Sequence, residues 1–71
     1  MTRDEWIEEF SRQAGLDPPS AEEVDDLLEL AATAAHATHR TAAPLACWLG
    51  GRSGKSLAEL KEIAEGIPSG A

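Results

Sequence analysis

Apolar residues recur along this chain at helical spacing in four stretches, and nowhere do they alternate as a half-buried strand requires. Near residues 3 to 14, Trp6, Ile7, Phe10 and Ala14 share one face. From Ala21 a longer stripe runs through Val24, Leu27, Leu28, Ala31 and Ala35. A third stretch carries Leu45, Trp48 and Leu49, and a fourth, from 57 to about 65, uses Leu57, Leu60, Ile63 and Ala64. A domain this small has little interior for two indoles. Trp6 is expected in the core, whereas Trp48 divides evenly between the core and a surface anchor for a partner.

The boundaries of these stretches carry their own signals. Thr2 and Glu5, Ser20 and Glu23, and Ser56 and Glu59 each repeat a hydroxyl residue followed three positions later by glutamate. In such a capping box the hydroxyl accepts from the third amide of the helix while the glutamate takes the cap's own N–H. Gly15, Gly50 or Gly51, and Gly66 follow the apolar stretches and predict the stops. Between the second and third stretches Pro44 is decisive, because proline inside a helix costs about 3 kcal/mol. A break near His39 to Thr41, with Thr41 as N-cap, puts Pro44 in the first turn, where no helical N–H is lost. The sequence therefore predicts an all-α domain over 1–71, a small bundle of four short helices, with 67–71 as a flexible tail. The alternative is three helices, the middle one long and kinked near Pro44.

Composition narrows the function. Net charge is −7, which argues against a nucleic-acid footprint, since binding to DNA or RNA rests on neutralising phosphates. The charge is uneven. Residues 1 to 29 hold ten carboxylates and two arginines, whereas 30 to 58 hold none and carry Arg40, Arg52 and Lys55. Burial of this segment explains the missing carboxylates, and a site for an anion or an acidic partner is the other explanation. No stretch is apolar and long enough to span a bilayer. Cys47 is the only cysteine, and with no signal peptide ahead of the domain a reducing cytoplasm is the expected setting.

Candidate chemistry is thin. Gly50-Gly51-Arg52-Ser53-Gly54-Lys55-Ser56 resembles a phosphate-binding loop, but Leu49 stands where that motif needs its first glycine and no strand precedes it. His36, His39 and Cys47 lack the fourth ligand that zinc usually takes, and no Asp or Glu in the segment completes the set. The same residues lack an orienting partner for a Cys-His nucleophile. No metal, cofactor or catalytic residue is expected. The alanines at 31, 32, 34, 35, 37, 42 and 43 permit close helix approach, either inside a bundle or on a self-association face.

A longer pattern is similar to a known family. Asp4-Glu5-Trp6-Ile7, Gly15-Leu16-Asp17-Pro18, Val24-Asp25-Asp26-Leu27-Leu28-Glu29-Leu30-Ala31, then His36, Arg40, Ala42-Ala43-Pro44-Leu45 and Trp48-Leu49-Gly50-Gly51 follow in order. This resembles a small actinobacterial helical domain of unknown function, found alone or attached to molybdopterin-guanine dinucleotide biosynthesis proteins. The resemblance spans about residues 4 to 66. The chain departs at Thr41, where the family pattern has proline.

What the resemblance implies is a helical accessory domain near molybdenum cofactor biosynthesis, not an activity, and with the thin chemistry of the residues the expected function is a non-enzymatic protein-interaction module. The expected binding residues are His36, Arg40, Trp48, Arg52 and Lys55, with a protein partner and self-association into a homodimer. His36 and Arg40, four apart, would point the same way on a helix. The alternative function is a small anion- or nucleotide-binding domain that uses the cationic segment 36–55.

Overall fold

Three reciprocal capping boxes set where the helices begin. Thr2, Ser20 and Ser56 each accept the backbone N–H of the glutamate three residues on, at 3.1, 3.1 and 3.2 Å. Those glutamates return to the cap amides at 2.7, 2.8 and 3.3 Å. Two orphan donors are thereby satisfied at each start. The computed structural model describes residues 1–69, in which the boxes open α1 (Arg3–Ala14), α2 (Ala21–Ala37) and α4 (Leu57–Gly66). The remaining helix, α3, spans Ala42–Ser53. There are four helices and no strand among the described residues, so the break before Pro44 holds and the long kinked helix does not form.

Thr41 occupies the N-cap position of α3 without capping it, for its side chain makes no bond to the helix. Instead its hydroxyl pairs with His39 Nδ1 at 2.8 Å. Pro44 lies in the first turn, where its missing N–H leaves no gap.

The stops partly depart from expectation. Gly15 closes α1 as foreseen: its φ is 77°, its N–H donates to Arg12 O at 3.2 Å, and Leu16 N–H donates to Ser11 O at 2.9 Å. α3, however, runs on through Gly50 and Gly51, and the left-handed closure falls to Gly54, with φ 74°. The reason is steric. Gly50 is a contact glycine, where an added Cβ would meet Leu60 Cδ1 at 2.9 Å and Leu30 Cδ2 at 3.8 Å. Gly66 likewise stays helical, and Ile67 follows as the cap with its N–H donating to Ala64 O at 3.3 Å. Of the tail expected over 67–71, residues 70 and 71 lie outside the described residues.

α2 is the spine. It packs along both α3 and α4, while no comparable packing joins α1 to any of them. Leu30, 3% exposed, is the buried centre of this three-helix body. Lys61 on α4 pins the second seam by donating to Asp26 at 3.1 Å and Glu29 at 2.8 Å on α2. These two carboxylates hold the Lys61 ammonium above its ordinary pKa, Glu29 first.

α1 turns Ile7, half-buried, and Ser11, buried, inward. The Ser11 hydroxyl donates to Ile7 O at 2.7 Å, which meets its own hydrogen-bonding need and permits its burial. Trp6 is not in the core. It is 54% exposed and stacks on exposed Phe10, with ring centroids 5.2 Å apart. With Ile7 and Ser11 facing inward, the Trp6 edge of the helix is left outside.

The molecule is drawn out accordingly. Its extents are 37 × 24 × 18 Å and its radius of gyration 12.9 Å, against about 11 Å for a compact chain of this length.

Candidate functional site

α3 has two apolar faces of different character. The face toward the body carries small residues: Ala42, Ala43, Ala46 and Cys47 are half-buried and Gly50 is buried. The opposite face carries the large ones. Leu45, Trp48 and Leu49, at positions i, i+3 and i+4, are 64%, 61% and 61% exposed, and Arg52 continues the line at i+7. Single exposed leucines are ordinary on protein surfaces, but here three large apolar side chains are grouped on one helix face. The guanidinium of Arg52 lies 4.6 Å from the centroid of the Trp48 ring, a cation–π contact that holds the indole in place.

The small inner face and the large outer one have one cause. Close approach of α3 to α2 and α4 at Gly50 leaves no room inward for a large side chain. The helix therefore spends its bulk outward. Trp48 is thus a surface residue, the second of the two placements the sequence left open.

The other expected binding residues scatter around this face. His36 sits exposed in the last turn of α2, and Arg40 is exposed in the turn between α2 and α3. Lys55 is exposed in the short loop before α4. No hydrogen bond or ion pair links His36, Arg40 and Lys55 to one another among the described residues. The glycine-rich loop is occupied by its own contacts: Ser53 Oγ donates to Gly50 O at 2.7 Å and accepts the Lys55 amide at 3.1 Å, and the Ser56 amide is held by Glu59. Arg40, Arg52 and Lys55 are all exposed, while the same segment holds buried Leu30 and Gly50 and a half-buried row of alanines, so burial accounts for the missing carboxylates on its inner side only.

His39 is held by Thr41, and no three His, Cys, Asp or Glu side chains converge as metal ligands among the described residues. Cys47 packs on the inner face of α3, where burial pushes its thiol pKa up and away from the reactive thiolate. The acidic starts of α1 and α2 serve locally. Glu5 is held below its ordinary pKa by the Thr2 amide, and Glu9 by Arg12 and Gln13.

A second surface was not foreseen. A cleft of about 580 Å³ separates the end of α1 from the body, with Phe10 and Leu16 on one side, Leu27 and Leu57 beneath, and Cys47 and Gly51 of α3 opposite. Leu45, Leu49 and Phe10 were not singled out as site residues, although the spacing of Leu45, Trp48, Leu49 and Arg52 carried the signal for the first two.

The chain belongs to the family described as a domain of unknown function (DUF6457), whose model matches residues 1–67. No curated protein and no solved structure matches it.

Proposed function

We propose that this domain is a non-enzymatic interaction module that docks a protein partner on the outward face of α3. The observation that carries the reading is the inversion of side-chain size across that helix. Large apolar residues on the solvent side of a small domain are retained at a cost in solubility, and burial against a partner at roughly 25 cal/mol per Å² offsets that cost. Trp48 backed by Arg52 has the make-up of a binding hot spot, in which Trp and Arg are enriched. Absence of carboxylates from residues 30 to 58 favours a partner with acidic groups around its contact. Support for a non-catalytic role comes from the groups that would do chemistry: Cys47 is held as the thiol, and Glu5 and Glu9 are engaged in helix-start and surface pairs. The resemblance to domains attached to molybdopterin-guanine dinucleotide biosynthesis proteins makes molybdenum cofactor maturation the setting in which to seek the partner.

The test is site-directed photocrosslinking in the native cell. A photoreactive residue at Leu49 is expected to give one discrete adduct that disappears in Trp48→Asp. The same group at Glu22, on the acidic exposed side of α2, should give none. Equal labelling from both positions would sink the proposal.

A further inference from the structure

Two apolar faces of this chain lack a partner within it, and they carry opposite charge. On α1, Trp6 and Phe10 stand stacked and exposed, and Glu9 borders the same shallow hollow. Asp4, Glu5 and Glu8 bring that helix to four carboxylates, set against Arg3, which pairs with Asp4, and Arg12, which pairs with Glu9, so α1 is net acidic. On α3, Leu45, Trp48 and Leu49 are exposed, Arg52 lies over Trp48, and no carboxylate is present.

We infer that the partner on the outward face of α3 is α1 of a second copy of this chain, and that the contact is reciprocal, so that each α1 covers the other copy's α3. The inference rests on the docking role proposed for α3 and names its occupant.

Three observations point to a second copy. The first is area. The chain exposes 5581 Å², whereas a compact monomer of 7.5 kDa exposes about 4,250 Å² by the usual scaling. The excess, about 1,300 Å², exceeds the roughly 800 Å² that each partner buries in a standard stable interface.

The second is charge. An α3–α3 contact would set Arg52 near Arg52, and an α1–α1 contact would set two net acidic helices together, whereas α1 on α3 sets the net acidic helix, with the Glu9–Arg12 pair at its apolar edge, against one that carries Arg52 and no carboxylate. Repulsion between copies of net charge −7 acts at longer range and is screened beyond about 8 Å at physiological salt.

The third is closure. A helix-on-helix contact made once is small and, repeated head to tail, runs on into an open chain. Made twice about a two-fold axis it doubles in area and closes. The slight packing of α1 on its own body, and the cleft beside Phe10, leave its outer edge free to make that contact.

Sedimentation of the full chain from about 1 μM to about 1 mM spans the affinities such an interface has. The expected result is a reversible monomer–dimer equilibrium that Trp6→Ala and Trp48→Ala each weaken at least tenfold, with helicity by circular dichroism unchanged. Glu9→Lys and Arg52→Glu should each weaken it as well, and the chain carrying both should recover affinity.

A strict monomer throughout the range would overturn the inference. So would a dimer that Trp48→Ala loosens and Trp6→Ala does not, since that is an α3–α3 contact, and so would a double charge reversal that recovers nothing. A strictly monomeric chain that still crosslinks from Leu49 to a different protein would remove the second copy and leave the docking role standing.

Discussion

The two faces of α3 are built from the same class of residue and meet opposite surroundings. Inward, alanines, Cys47 and Gly50 let the helix settle against Leu30 and Leu60. Outward, Leu45, Trp48 and Leu49 stand in solvent. Hydrophobicity alone does not say which face of a helix is the inside; side-chain size at the closest approach does. Stability of the folded chain should therefore depend on the small face and its neighbours, and association on the large one.

The largest test of that division is Leu30→Ala. It removes the buried centre of the body and should cost about 2–5 kcal/mol, the usual range for a core leucine, seen as a thermal midpoint lower by on the order of 10 °C. A loss under about 1 kcal/mol would mean that the inner face is not what holds the helices together.

Next is Gly50→Leu, which forces a side chain into the space of Leu60 and Leu30 and should cost about 1–3 kcal/mol by overpacking. Gly51 is a control on the same helix, since an added Cβ there meets nothing within 4 Å. Gly51→Ala should leave stability equal or raise it through helix propensity.

A smaller effect belongs to the polar seam between α2 and α4. Lys61→Met should lower the thermal midpoint less than Gly50→Leu does, and the difference from wild type should shrink in high salt. The pH dependence has a definite sign. Lys61 is raised above 10.5, so its contribution is complete below that value and is lost as pH rises through the folded pKa. Glu5 and Glu9 are lowered below 4.5, so theirs is present above that value and is lost as pH falls through the folded pKa. Thermal melts across pH should show a plateau bounded by these two limits. A melting temperature that climbs above pH 10.5 would contradict the Lys61 pairing.

The smallest effect expected is the most telling one. Trp48→Ala, melted at a dilution where the chain is monomeric, should shift stability by no more than about 0.5 kcal/mol. A loss as great as that of Leu30→Ala would erase the distinction between the faces.

Much of the fold was legible because it is written locally. Ser20 and Glu23, or Gly15 followed by Asp17-Pro18-Pro19, need only their own neighbours to act, and the helix starts came out where the residues put them. The placement of Trp6 was not legible. Its stripe with Ile7, Phe10 and Ala14 is apolar, but Ile7 and Ser11 turned inward, a choice set by the body that α1 meets. The end of α3 was missed for a related reason: Gly50 looked like a stop because a glycine's sequence neighbours do not reveal that Leu60, ten residues later, presses against it. The outward face was half legible. Trp48 and Arg52 stand among the expected binding residues, while Leu45 and Leu49 between and beside them are legible only as part of an apolar stretch with no side assigned. The alanine run marks close approach but leaves a bundle interior and a self-association face equally open, and the half-burial of Ala42 and Ala43 puts those two on the inner side of α3.

The three capping boxes also bear on how fast the chain reaches its folded form. Each closes between residues only three apart, so a helix start can form and dissolve on its own, on the sub-microsecond to microsecond scale of helix–coil relaxation. What remains is to bring α3 and α4 against α2, a search over short loops in a chain dominated by local contacts, which places folding in the microsecond to millisecond range. Removing a box, as in Ser20→Ala, should then slow refolding most where the capped helix is already formed at the barrier, and α2, to which both α3 and α4 must attach, is the helix in which that slowing should be greatest.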